Sequence, residues 1–246
     1  CKEICHLFSK EYKYSTWRRI WIALAKSQKN LGVHIKEQDI EELESKIYDI
    51  DFDRVKEIEK ETKHEVHAHL SAFAEQCQNA SKILHIGATS AFVMDNTDLI
   101  QIKEAMKLIK SKLIEVIRLM KEFAEKHASS ACLGYTHFQP AQPTTVGKRV
   151  CMWLQDLLWD LESIDLTLDR FPFLGAKGAT GTQASYLDLF DGDEEKVKIL
   201  DQMIANELDF DRVLVISGQT YTRKFDAKVS KLLSSIASTT HKIGTD

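Results

Sequence analysis

Val146-Gly147-Lys148-Arg149-Val150-Cys151-Met152-Trp153-Leu154-Gln155-Asp156-Leu157-Leu158-Trp159-Asp160-Leu161-Glu162-Ser163-Ile164-Asp165-Leu166-Thr167-Leu168-Asp169 is an uninterrupted helical stretch. Val150, Trp153, Leu154, Leu157, Leu161, Ile164 and Leu168 recur at the three- and four-residue spacing that puts side chains on one helical face. Trp153, Leu154, Leu157, Leu158 and Leu161 together make a stripe wider than one neighbouring helix covers. Either a large intramolecular core or a bundle shared between subunits accounts for it.

The same period extends outward on both sides. From about Asp95 to His127, Leu99, Ile102, Met106, Ile109, Leu113, Val116, Ile117, Met120 and Phe123 keep helical spacing, a rod of roughly 50 Å at 1.5 Å per residue. A third rod begins near Gln219 and carries Phe225, Val229, Leu232, Leu233 and Ile236. Upstream the pieces are shorter. Ser15 is placed to cap a helix bearing Trp17, Ile20, Trp21, Leu24 and Leu31, stopped by Gly32. A short helix with Ile40, Leu43 and Ile47 follows, and Asp51 starts a longer one reaching Cys77. The expected class is all-α. A small N-terminal helical domain (1–89) precedes a long-helix bundle domain (90–246). The strand-like run Arg212–Ile216 is too short to alter the class.

Composition agrees with long regular elements, because only 3 prolines and 10 glycines interrupt 246 residues. Hydrophobic residues at 43% and charged residues at 28% suit a globular protein with a sizeable core. A formal net charge of -4 argues against a general binder of nucleic acid or anionic membranes, so an anionic ligand needs a local basic cluster. The 5 cysteines are scattered without a CxxC pair, which points to a reducing compartment and no disulfide framework. No apolar run reaches membrane-spanning length and no signal-peptide pattern opens the chain, so a cytoplasmic location is expected. The chain starts at Cys1 and stops at Asp246 directly after an amphipathic pattern, and it reads as a piece cut at both ends.

Polar residues concentrate where the helical pattern breaks. In Leu84–Ser90, Thr89 and Ser90 either cap the next helix or, with its N-terminal N–H groups, bind a carboxylate or phosphate. Gly134–Thr145 holds two of the three prolines and carries Thr136 and His137 on a stiffened loop. A histidine there serves as a general acid–base group or as a structural hydrogen-bonder. The glycine-rich Gly175–Ser185 fits neither phosphate-loop pattern, and its glycines allow close approach to a ligand or to a neighbouring helix. His64-Glu65-Val66-His67-Ala68-His69 misses the zinc motif HExxH because Ala68 stands where the second histidine belongs, so no metal site is expected. Lys63 with His64 is a polar patch suited to an anion, or simply a solvated helix face.

These segments resemble the adenylosuccinate lyase branch of the fumarase–aspartase superfamily, over essentially the whole chain. Thr136-His137-Phe138-Gln139 with Ala141 is similar to the threonine–histidine segment of the superfamily. Lys63–Val66 with His69, Gly87–Ser90 with Asp95–Asp98, Lys177–Ser185 and Ser217–Lys224 are similar to that branch in particular. Argininosuccinate lyase and fumarase share the first segment but are not expected to carry the last two as written here. A helical assembly module without catalysis is the other alternative.

The resemblance implies a carbon–nitrogen lyase of purine biosynthesis. It would release fumarate from adenylosuccinate, giving AMP, and from the succinyl-carboxamide precursor SAICAR, giving AICAR. It implies a homotetramer and no metal or organic cofactor. It assigns His137 as general acid, and Lys63, His64, Glu65, Thr89, Ser90, Thr136 and Gln219 as substrate contacts. Lys63 departs from the family's usual arginine and loses its bidentate fork. The family's base, a serine in the pattern Ser-Ser-x-Met-Pro-x-Lys-x-Asn, does not occur in these residues, nor does the arginine-bearing phosphate segment expected near the N-terminus. The 246 residues alone are therefore expected to be inactive or nearly so.

Overall fold

A computed structural model describes residues 2–246. Helices dominate: α1 (Lys2–Leu7), α2 (Lys10–Asn30), α3 (Glu37–Ser45), α4 (Phe52–Thr62), α5 (Glu65–Gln76), α6 (Ser90–Lys126), α7 (Val146–Asp169), α8 (Ala184–Leu189), α9 (Glu194–Glu207) and α10 (Lys224–Thr245). A two-stranded antiparallel hairpin, β1 (Ala131–Thr136) and β2 (Gln139–Thr145), lies between α6 and α7. None of the described helices is long and apolar enough to cross a membrane. Two compact units form, one from the residues up to Glu104 with Phe171–Tyr221, the other from Ala105–Arg170 with Thr222–Asp246.

The first unit is built around α2. Trp17, Ile20, Trp21 and Leu24 are fully or almost fully buried along it, against α3, α9 and α5. Its N-cap is Ser9, whose Oγ accepts from Tyr12 N, and not Ser15. Ser15 lies more than one turn inside the helix and donates to Tyr12 O. Nothing in Glu11–Tyr14 breaks a helix, and Tyr14 is drawn into the core by stacking on His69 at 3.7 Å. Arg18, 2% exposed, donates to Lys46 O, to Asp49 O and to Gln76 Oε1, and its guanidinium lies 4.3 Å over the Phe73 ring. One cation thereby satisfies the carbonyls after α3 and ties them to α5.

The helix expected from Asp51 to Cys77 is two helices. Lys63 takes a left-handed conformation (φ 54) that ends α4, and His64 starts α5 as its N-cap. Hydrophobic spacing persists across this break, which is why periodicity alone reads straight through it.

α6 runs for 37 residues, about 55 Å. Near its start two buried polar residues return to distant chain. Asn96 Oδ1 accepts from Leu174 N (3.0 Å) and Gly175 N (3.2 Å), while its Nδ2 donates to Phe92 O and Gly175 O. Asp95 accepts from Tyr221 N at 2.8 Å. The run 212–216 is not a strand; Val213 makes one isolated bridge to Phe173, and Val215 and Ile216 are exposed.

In the second unit α7 spans the expected residues, capped by Thr145, whose Oγ1 accepts from Lys148 N. Asp160 on α7, 3% exposed, accepts from Ser235 and Thr239 of α10 at 2.6 and 2.7 Å. The rod expected from Gln219 starts later, at Lys224. The proline-bearing stretch is a hairpin and not a loop. Prolines are tolerated because a two-stranded ribbon has only edges, and the register shifts at Gly134.

Asn96→Ala leaves the Leu174 and Gly175 N–H groups unpaired in a site where Asn96 is 0% exposed. Such a loss costs about 2–4 kcal/mol when two buried donors are orphaned. Equilibrium urea denaturation should show it, and a change below measurement error would contradict the assigned role.

Candidate active site

The break at Lys63 builds the first half of the site. His64 Nδ1 accepts from His67 N at 3.2 Å, so the ring's hydrogen belongs on Nε2. That nitrogen meets Ser90 Oγ at 3.1 Å. With Nε2–H donating, the Ser90 hydroxyl keeps its own hydrogen to offer elsewhere. Ser90 opens α6, where N–H groups lacking intrahelical partners and the helix dipole favour an anion.

Both residues line a cleft of ≈ 450 Å³ with Thr62, Val66, His67, Leu70 and His85. The turn that leads into Ser90 is held from behind. Gly87 (φ 74) lies so close to the buried Tyr186 ring that an added Cβ would sit 2.9 Å from it. Leu70 is half-buried in the cleft wall, and His69, 4% exposed, is the neighbour that faces the core.

Lys63 and Glu65 flank His64 but turn to different tasks. Lys63 is exposed at the turn. Glu65 accepts from Tyr14 Oη at 2.6 Å and Lys13 Nζ at 3.0 Å. Burial pushes the Glu65 carboxyl up, but these hydrogen bonds outweigh it and hold it below the ordinary carboxylate range.

The glycine-rich loop packs against protein. Lys177, 5% exposed, is paired with Asp201 of α9, which also accepts from Ala176 N and Gln183 Nε2. Burial raises the Asp201 carboxyl, opposed by Lys177. A Cβ on Gly175 would meet Asp201 at 2.5 Å, and one on Gly181 would meet Ser217 O at 1.8 Å. The close approach is thus to α9 and to the turn at 217–220. Gln219 is exposed on that turn, braced where Ser217 Oγ donates to Thr220 O at 2.8 Å.

Thr136 and His137 belong to the second unit, at the hairpin tip. Thr136 pairs with Gln139, and the two residues between them, His137 (φ 54) and Phe138 (φ 59), both take left-handed conformations. Two successive positive φ values define the mirror-image turn that suits hairpin twist. Glycine and asparagine usually occupy it, so bulky side chains here hold strain of roughly 1 kcal/mol or more each. Phe138 is fully exposed, and no hydrogen bond among the described residues restrains the His137 ring. Alongside runs a groove of ≈ 850 Å³ whose lining includes Tyr135, Thr136, Gln142, Lys148 and Arg149.

Of the residues singled out from the sequence, the structure joins His64 directly to Ser90, with Lys63, Glu65 and Thr89 as chain neighbours. Gln219 stands on a separate turn of the same unit. Missing from that set are His67 and His85, which line the cleft. His85 stood within the Leu84–Ser90 stretch, but its contact with Trp21 spans 64 residues and leaves no local signal.

The long-helix fold of this chain has counterparts among solved structures. A fumarate lyase from Mesorhizobium sp. BNC1 superposes with a TM-score of 0.86 at 23% identity, covering 100% of this chain and 56% of that one. The 3-carboxy-cis,cis-muconate lactonizing enzyme of Pseudomonas putida gives a TM-score of 0.86 at 19% identity, over 100% and 55%. At those identities the likeness establishes the fold. The lyase family model matches residues 6–244, and the chain belongs to that family. It is 45% identical over 244 residues to the adenylosuccinate lyase of Schistosoma mansoni, covering 99% of this chain and 51% of the relative. It is 44% identical over 248 residues to that of Saccharomyces cerevisiae, covering 100% and 52%. The chain spans about half the length of the curated relatives it matches.

His69 and His85 are both pushed down to about 4, mainly by burial. Unfolded histidine takes up a proton near pH 6.5, so the stability these two supply is complete above that pH and is lost as pH falls toward 4. Two such groups give a slope of up to about 2.7 kcal/mol per pH unit. Denaturation at pH 7 and pH 5 should show the fall, and His69→Gln with His85→Gln should flatten it; an unchanged slope in the double variant contradicts the assignment.

Proposed function

We propose that the protein containing this chain is an adenylosuccinate lyase, removing fumarate by β-elimination from adenylosuccinate and from SAICAR. The observation that carries the reading is 44–45% identity to curated adenylosuccinate lyases along 99–100% of the chain. The His64–Ser90 cleft supports it, because a succinyl group brings carboxylates that need fixed donors.

A base removes the proton from the succinyl carbon next to one carboxylate, and the electron pair is delocalised into that carboxylate. The C–N bond then breaks as a general acid protonates the departing nitrogen, and fumarate leaves. His137 is the acid in this scheme. Its position on a strained two-residue turn suits a group that must be presented outward, with its ring settled by substrate. Ser90 donates its hydroxyl to a succinyl carboxylate, and Thr89, at the same helix start, adds a second. His64 fixes Ser90, Lys63, exposed at the turn before His64, supplies positive charge, and Glu65 orients the segment through Tyr14 and Lys13. Thr136 and Gln219 complete the substrate contacts. The base is assigned to sequence outside these 246 residues, which by themselves are inactive or nearly so in this reading.

The active form is a homotetramer. The second unit exposes Ile114, Val116, Leu119 and Phe123 on α6, Met152, Leu158, Trp159 and Leu166 on α7, and Leu233 on α10. Trp159 at 60% exposure is a large apolar surface to leave in water, and copies of the same helices are suited to cover it.

In the full-length protein, His137→Gln should lower kcat for fumarate release by about 10²–10⁴-fold, the range for loss of a general acid, with KM changed little. Ser90→Ala should instead raise KM. A His137→Gln enzyme with unchanged kcat removes the assigned acid. Light scattering should give a mass of four chains, and a monodisperse monomer would contradict the tetramer.

A further inference from the structure

His85 is gripped from one side. Its backbone is left-handed (φ 62), and its ring stands edge-on to the Trp21 indole, with centroids 6.0 Å apart at 81°. Trp21 Nε1 donates to His85 Nδ1 at 2.8 Å. The indole is 1% exposed and packs against Trp17 and Phe73, so it has no room to turn. An indole nitrogen only donates, which leaves no ambiguity about direction. Nδ1 is the acceptor, and the hydrogen of the uncharged imidazole must be on Nε2. Burial, with a smaller contribution from His64, lowers His85 to about 4, so the uncharged form prevails at ordinary pH.

His85 lines the same cleft as His64 and Ser90. With Nδ1 taken, Nε2–H is the ring nitrogen left to meet a ligand. The His64 ring is arranged alike, with Nδ1 consumed by a helix cap. His64 Nε2–H is already given to Ser90, so the cleft offers His85 Nε2–H and the Ser90 hydroxyl hydrogen, with no imidazole lone pair turned toward it, which suits an anion and not a metal ion.

We propose that Trp21 is a positioning residue of this cleft: its indole locks His85 in the Nε2–H tautomer, fixing a donor toward a carboxylate or phosphate oxygen of the bound substrate. The proposal rests on the reading that the cleft takes a succinyl nucleotide. Without the indole N–H the two tautomers become similar in energy, and one of them turns a lone pair toward the anion. Trp21 lies on α2, 64 residues from His85 in sequence, and acts on substrate only through that ring.

The test is a cycle in the full-length protein with Trp21→Phe, His85→Gln and the double variant. Glutamine offers an amide N–H near the position of Nε2 and has no tautomer to set. Trp21→Phe should raise KM for adenylosuccinate about tenfold, with kcat within about threefold, in the wild-type background. It should change KM less than about twofold in the His85→Gln background, since a coupled pair is not additive. Equal factors in both backgrounds would reduce Trp21 to core filling and overturn the proposal. Side-chain ¹⁵N shifts of labelled histidine, with His85 assigned by its loss in His85→Gln, decide the tautomer in the wild-type protein whether or not any variant folds. A protonated Nδ1 there overturns the lock. Absence of fumarate release from the wild-type enzyme would instead sink the substrate reading, and the ¹⁵N result would still stand.

Discussion

The side-chain amide of Asn96 makes four hydrogen bonds with no exposed surface, and the first unit is arranged around them. Two satisfy backbone N–H groups of residues 174 and 175, and one meets the Gly175 carbonyl, so a segment nearly eighty positions away is fixed to the start of α6. Only an amide meets this demand. A carboxylate would offer no donor, and an apolar residue would orphan three backbone groups where water cannot reach. Asp95, one residue earlier, does the same for Tyr221. Because α6 is a continuous helix, Ser90 at its first turn inherits this fixation, and the cleft acquires a rigid wall.

The legible part of the fold was whatever the hydrophobic period governs. α7 begins and ends where its apolar stripe does, because Thr145 caps it and no competing signal lies nearby. Where the period survives a break it misleads. Val55, Ile58 and Val66 keep their faces across Lys63, whose left-handed turn is made by a lysine rather than a glycine and so carries no mark. The hairpin was hidden for the opposite reason. Pro140 and Pro143 signal a loop, yet a ribbon with two edges accommodates them. Ser9 and Ser15 are equally good caps by type, and the choice was made by tertiary packing of Tyr14 on His69.

The candidate site divides similarly. Thr89 and Ser90 stood out at a helix start and His64 in a polar patch, a resemblance added expected roles, and the structure sets His64 against Ser90. His64 as a helix cap explains why a histidine, with two distinct nitrogens, suits that place: one holds the backbone and the other holds the serine. Residues whose importance depends on long-range contact were not legible. Lys177 in a glycine-rich loop invites an anion, but its counter-ion Asp201 comes from α9 and is already inside the protein.

The division of the first unit into two chain segments has a consequence for how the protein is made. Residues up to Glu104 leave the ribosome before α9 and the 171–175 segment that they pack against exist. At about 5–20 residues per second, the wait lasts several seconds. During that time one flank of α2 and three of the four Asn96 side-chain bonds have no native partner, while β1 and β2, adjacent in sequence, can pair in microseconds. The second unit's hairpin is therefore poised to form ahead of the unit that begins the chain, and the nascent protein must keep a tryptophan-rich helix soluble until its distant half arrives.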